Sequence, residues 1–300
     1  MKYADLIENA KKARSEGDYE RAIGIYQEAF QQKVMVNDLV DLGLVYLDHK
    51  EPLKAIGIFE DVLTQYPGLA YVHYGLGIAY EETGRYSEAR QAYQKAISVD
   101  ESFADAYFGL ALLADEENDE NSAYDYYKKT ILYDANHYWA NLNLGSFYEK
   151  HGLLDLALQH TQNAYRISPR EKMVSYNLGV IYAKMQKFNE AVKYYLEEIE
   201  KDGHLMSYLN LGLIYKDVYH DYEKARYYYL AGISKNKDDA NLWYNLGCLY
   251  ALMNDYDNAY SCLFYALVRE RSLIAYLEQD EELESFRSNP IYQKLMESIS

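Results

Sequence analysis

The sequence predicts an all-α fold, a solenoid of tandem helix-turn-helix repeats, and three observations predict it. First, Gly43, Gly77, Gly145, Gly179, Gly212 and Gly247 fall at steps of about 34 residues, or double that where Ala111 stands in. A fixed period of this length marks stacked structural repeats. Second, each period has the same internal order. Asn143-Leu144-Gly145 leads to Tyr148 and Ala157, Asn177-Leu178-Gly179 to Tyr182 and Ala191, and Trp243-Tyr244-Asn245-Leu246-Gly247 to Tyr250 and Ala259. Third, the 300-residue chain is 49% hydrophobic with only 4 Pro, which excludes a disordered polymer and leaves helices uninterrupted. Its 36 Tyr imply that tyrosine fills several fixed positions in each repeat.

Eight repeats follow, over 3–35, 36–69, 70–103, 104–137, 138–171, 172–204, 205–239 and 240–273. Each reads as helix, short turn, helix, short turn, with positions counted from its first residue. In the first helix, positions 4, 7, 8 and 11 share one face. Position 11 is Tyr46, Tyr80, Tyr148, Tyr182, Tyr215 and Tyr250, and position 8 is mostly Gly. A helical Gly costs about 1 kcal/mol relative to Ala. Its recurrence therefore implies that a neighbour comes too close for a side chain. Next comes a residue suited to a left-handed backbone, which ends the helix: Gly17, Gly84, Asn118, Gly152 or Asn254. In the second helix, positions 20, 24 and 27 form the buried face. Position 20 is Ala in all eight repeats, and position 24 is Tyr26, Phe59, Tyr93, Tyr127, Tyr195 and Tyr229. Pro67 and Pro169 stop the second helices of their repeats.

Irregular packing is expected at three places. Repeat 1 has Asn9-Ala10 where the others have Leu-Gly, repeat 4 has Ala111 and Ala114 at positions 8 and 11, and repeat 7 carries one extra residue within Tyr215–Ala225. From 274 the period stops. A solenoid needs a polar cover over its last apolar face, so 274–300 is read as a C-terminal cap. Asn289-Pro290 gives an N-cap and first-turn proline for a helix within it.

The pattern resembles the tetratricopeptide repeat (TPR) family, whose signature is aromatic at position 4, Leu at 7, Gly at 8, Tyr at 11, Ala at 20, aromatic at 24, Ala at 27 and Pro at 32. The resemblance covers about nine-tenths of the chain and extends to the closing segment 282–295, which looks like those that follow many bacterial TPR arrays. It implies a right-handed superhelix whose first helices line a concave groove, and a non-catalytic scaffold that binds a protein or peptide segment there. One family function is excluded by residue identity. The clamp for chaperone C-terminal carboxylates uses Lys at position 5 and Asn at position 9. Here position 5 is Ile7, Val40, Tyr74, Phe108, Leu142, Tyr176, Leu209 and Tyr244, and position 9 never holds Asn.

Positions 2, 5, 6, 9, 12 and 13 point away from the core at about 100° per residue. In repeats 5 to 8 they carry Asn143, Asn177, Asn210 and Asn245 at position 6, beside Trp139, Tyr176 and Tyr244. An amide both donates and accepts, so this ladder matches an extended peptide backbone, with the aromatic residues taking its side chains. The alternative is that Asn at position 6 is family background with no ligand. In repeats 2 to 4, Tyr74 and Phe108 stand among Glu81, Glu82, Asp105, Asp115 and Glu116. Acids beside aromatic faces suit Arg and Lys side chains. Lys150, Lys184 and Lys216 at positions 12–13 are expected to form a basic lip along repeats 5 to 7.

The net charge of −17 leaves no basic footprint for nucleic acid and favours a basic peptide or protein as partner, although an acidic surface also simply confers solubility. No apolar run reaches the roughly 18 residues of a membrane span, and the N-terminus reads as an amphipathic helix, not a secretory signal. Two cysteines, Cys248 and Cys262, make neither a disulfide framework nor a metal pattern, so a cytoplasmic protein is expected. None of the seven His forms a ligand pair on one helix face, and no cation has an obvious place beside either thiol. No catalytic residue, cofactor or metal is expected. Two alternatives stay open: a receptor for signalling peptides, and a self-assembling homo-oligomer. Receptors of the first kind normally carry an N-terminal DNA-binding or effector domain, whereas here repeat 1 begins at Tyr3.

Overall fold

The computed structural model describes residues 1–201 and 203–299, and no strand occurs among them. Two compact units divide the chain, Met1–Phe147 and the residues from Tyr148 onward. The first holds α1 (Tyr3–Ser15), α2 (Tyr19–Phe30), α3 (Val36–Asp48), α4 (Pro52–Gln65), α5 (Ala70–Glu82), α6 (Tyr86–Val99), α7 (Ala104–Glu116) and α8 (Glu120–Tyr133), and the boundary falls within α9 (Tyr138–Lys150). The second holds α10 (Leu154–Ile167), α11 (Val174–Lys184), α12 (Phe188–Glu200), α13 (Met206–Leu213), α14 (Tyr222–Lys235), α15 (Ala240–Leu252) and α16 (Tyr256–Arg269). Three short helices follow: α17 (Leu273–Gln279), α18 (Glu284–Arg287) and α19 (Pro290–Ile299). No described helix is long and apolar enough to cross a membrane.

The turns within hairpins have a local cause. Gly17, Gly84, Asn118, Gly152 and Asn254 all take positive φ, as their residue types predict. So do Lys50 (φ 62°), Gln186 (φ 58°) and His220 (φ 53°), which carry no such signal. The conformation costs a β-carbon-bearing residue about 1–2 kcal/mol, so neighbouring helices hold it in place. After each turn an acid often caps the next helix. Asp18, Asp119, Asp221 and Asp255 accept the backbone N–H of Arg21, Ser122, Lys224 and Asn258.

In the hairpins of repeats 2, 3, 6 and 7 the glycine of position 8 meets the ring of position 24. A methyl group added at Gly43, Gly77, Gly179 or Gly212 would run into Phe59, Tyr93, Tyr195 or Tyr229 respectively. Tyr93 is held from a second side by Gly109 of the next repeat. The rings of Tyr26, Phe59, Tyr93, Tyr195 and Tyr229 are all at most 1% exposed and form the spine of their cores.

The extra residue of repeat 7 lies inside a helix. It widens the continuation of α13 into a π-helical turn, Ile214–Val218, before Asp221 caps α14. Repeat 6 holds a departure that its sequence hid. Where the pattern has Ala at position 27, Glu198 is 0% exposed. Its carboxylate accepts the backbone N–H of Met173 at 2.8 Å, His204 at 3.2 Å and Tyr176 at 3.3 Å, closing the start of α11.

Beyond α16 the chain folds back on α15 and α16. Leu277, Leu283, Phe286 and Leu295 are each 0% exposed in this cluster. Asn289 accepts the N–H of Ile291 at 3.0 Å and starts α19.

Candidate peptide-binding face

The residues singled out for binding fall in both units. In the first, Tyr74 on α5 and Phe108 on α7 are half-buried. Tyr74 packs against Phe103 and Tyr93, with ring centroids 5.4 and 5.7 Å apart, and Phe108 lies 4.5 Å from the ring of His137. Trp139 stands edge-on to Tyr138 and is 50% exposed, so a large apolar surface meets solvent here.

Acids surround these rings, and few cations balance them. Glu82 pairs with Lys50 at 2.8 Å. Glu81 instead accepts the Tyr93 hydroxyl at 2.8 Å, and Asp115 accepts that of Tyr127. Glu116 makes no ion pair with a described residue and is exposed. Burial pushes the Glu81 carboxyl above its ordinary value; Tyr93 opposes this, and the charges of Glu116 and Glu82 add to it. This part of α5 and α7 is therefore short of positive charge.

The asparagines of position 6 have a partner that sequence spacing did not reveal. Asn143 donates to the hydroxyl of Tyr127 at 2.7 Å, and Asn210 donates to that of Tyr195 at 3.1 Å. In both cases the ring belongs to position 24 of the preceding repeat. Asn245, whose preceding ring is Tyr229, turns to the backbone carbonyl of Asn241 at 2.8 Å. Asn177 is half-buried and also engaged. In repeats 3 and 4 the same position is Gly75 and Gly109, each packed directly on a ring of the preceding repeat. In repeats 3, 4, 5 and 7 position 6 thus contacts the previous repeat's aromatic residue, a relation legible only by reading adjacent repeats together.

Three expectations are corrected. The basic lip does not stand free: Lys184 pairs with Glu149, Lys216 with Glu282, and Lys150 is engaged too. Tyr244 is buried, 8% exposed, and donates to Asp280 of the C-terminal segment at 3.0 Å. The thiol of Cys248 does have a cation in its surroundings, Lys216, yet burial and the acids Asp280 and Glu282 push it well above its ordinary value. Cys262 is pushed up to about 12, chiefly by burial, so both thiols are held protonated. For Lys216 itself, burial pulls the ammonium down, but Glu282 outweighs it and the net shift is upward. Tyr176, by contrast, remains half-buried beside His204, with ring centroids 4.5 Å apart.

Comparison with known proteins agrees with this architecture. Family models described as tetratricopeptide repeat match residues 70–103, 175–203 and 240–263. Anaphase-promoting complex subunit CDC16 of Saccharomyces cerevisiae is 28% identical over 193 residues, 62% of this chain and 23% of that protein. Tetratricopeptide repeat protein 8 of Mus musculus is 28% identical over 90 residues, 30% of this chain and 18% of that protein. The chain thus spans less than a quarter of either relative. Among solved structures, PilF of Pseudomonas aeruginosa superposes with a TM-score of 0.60 at 19% identity, covering 69% of this chain and 94% of that one. Cut9, in its hetero-tetramer with Hcn1, gives 0.58 at 17% identity, covering 94% of this chain and 52% of that one. These two likenesses are of fold.

Proposed function

The chain belongs to the tetratricopeptide-repeat family, and from that premise we propose that it is a non-catalytic interaction scaffold whose first-helix face in repeats 2 to 4 holds a basic peptide segment. The family consists of protein-interaction modules, and a relative such as CDC16 is by name a subunit of a multiprotein complex. The observation that carries the peptide's chemistry is the charge imbalance at Glu81, Asp115 and Glu116, set beside the half-buried rings of Tyr74 and Phe108. An Arg or Lys side chain would pair with the acids and lie against the rings. Within the second unit, taken by itself, Tyr176, Asn177 and Asn210 offer a ring and side-chain amides suited to a peptide's apolar and backbone groups.

The test is fluorescence anisotropy with a labelled peptide of alternating Arg and Lys. The double variant Glu81→Gln/Asp115→Asn is expected to lower affinity at least about fivefold. The control Glu20→Gln/Glu28→Gln removes the same charge from exposed sites on α2 and should change it little. Equal losses in the two variants would reduce the effect to net charge and overturn the site. Affinity should also fall as pH drops. Glu81 takes up its proton at higher pH than an ordinary glutamate, and a neutral Glu81 attracts no cation.

A further inference from the structure

The second unit contains a polar cluster that this reading leaves unused. Lys216, in the π-helical turn, is 4% exposed. Its ammonium donates to both carboxylate oxygens of Glu282, with Oε2 at 2.6 Å, and lies 3.3 Å from Asp217. On α15, Tyr244 donates to Asp280 Oδ2 at 3.0 Å, and the Cys248 sulfur lies 3.6 Å from the same oxygen. Asp280 Oδ1 accepts the N–H of Glu282 at 3.0 Å, a tight turn that presents two carboxylates. Leu283, the next residue, is 0% exposed. The hydroxyl of Tyr229, placed to feel the charges of Asp217 and Glu282, is buried with no partner among the described residues.

Lys216 holds position 12 of repeat 7, and Tyr244 and Cys248 hold positions 5 and 9 of repeat 8. These are positions that should face a ligand. Here the chain's own residues 280–283 lie on them.

We propose that Lys216, Tyr244 and Cys248 form a receptor site for an acidic Asp-X-Glu-Leu segment of a partner protein, and that Asp280–Leu283 fills it in cis as a built-in competitor. The ammonium reads one carboxylate with two bonds, the phenol reads a second carboxylate two residues earlier, and the apolar floor takes the leucine. Covering the end of the array does not require this chemistry, because Leu277, Phe286 and Leu295 already supply apolar cover. A buried ion pair adds little net stability over an apolar contact, whereas it discriminates strongly between partners. A partner segment of the same chemistry would replace the internal one bond for bond. The inference rests on the reading of the first-helix face as a binding surface, at a separate place and with the opposite ligand charge.

The experiment uses the full chain and a fluorescein-labelled peptide of sequence 278–287. Asp280→Asn/Glu282→Gln, which loosens the internal segment, is expected to bind the peptide at least tenfold more tightly than the unchanged protein. Adding Lys216→Met to that variant should abolish the gain. A variant with full helical circular dichroism that binds no better, or a gain that survives Lys216→Met, overturns the proposal. A second readout needs no substitution. Cys248 lies under Asp280, so loosening of the segment should expose it, and excess peptide should slow its reaction with a thiol reagent while leaving that of Cys262 unchanged. Both thiols reacting together, at the rate of global unfolding, would overturn it as well. A dilution-sensitive dimer of the double variant, dispersed by the peptide, would assign the site to a second copy of the chain and overturn the partner assignment. Failure here with the Arg-Lys peptide still bound through Glu81 and Asp115 rejects this site alone; failure of both rejects the binding face itself.

Discussion

Glu198 shows what one residue can do against the pattern around it. Its neighbours in sequence place it at a position that is small and apolar in most other repeats, and nothing in the helical period says that a carboxylate belongs there. The structure gives the reason: the backbone N–H groups of Met173 and Tyr176 at the start of α11, and that of His204 between α12 and α13, converge on it. A charged acceptor facing a helix N-terminus is favoured by the local dipole as well as by its hydrogen bonds. Glu198→Ala leaves those donors buried without an acceptor and is expected to cost about 2–4 kcal/mol. Glu198→Gln keeps one acceptor oxygen and should cost less. Urea denaturation of the two variants checks the order; equal losses would mean that Glu198 serves only to fill space. The signal for this residue was present in the sequence, as an acid where the pattern expects alanine, but its meaning needed the loop that folds over it.

At the scale of the helical hairpin, most of the design was legible. Periodic Gly, Tyr and Ala give the two helices, and the recurrence of Gly at position 8 gives their close approach. The identity of the group that approaches is a ring from position 24 of the same repeat, as between Gly179 and Tyr195. Gly179→Ala sets two effects against each other. Helix propensity gains about 1 kcal/mol, while overpacking against a buried ring costs about 1–3 kcal/mol. The ring of Tyr195 is 1% exposed and cannot swing into solvent without opening the hairpin, so net destabilisation is expected. Thermal melting checks the sign, and a rise in Tm would mean that the ring moves freely. Adjacent hairpins were less legible. The bonds from Asn143 to Tyr127 and from Asn210 to Tyr195 join position 6 of one repeat to position 24 of the one before, a relation invisible inside a single period.

Across the whole molecule, the abundance of tyrosine has a consequence for alkaline stability. Tyr26, Tyr93, Tyr127, Tyr195 and Tyr229 are all held above the usual range, in each case chiefly by burial. A group whose folded pKa exceeds its unfolded value contributes stability that is full below about pH 10 and is lost as pH rises past it. Absorbance at 295 nm should therefore show two populations. The buried rings should ionise only together with loss of helical signal, as a step separate from the rest. Ionisation of all 36 with the helices intact would contradict the packing. The bond between α13's π-helical continuation and the C-terminal segment was the least legible feature at this scale, since Lys216 and Glu282 are 66 residues apart and no period links them. The π-helical turn that holds Lys216 carries a lesson about tolerance to insertion. Its extra residue is stored inside a helix, so the capped start of α14 and the alanine-and-ring face that follows keep their phase. A residue added within such a helix is absorbed by the widened turn, so the hairpin that follows keeps its geometry.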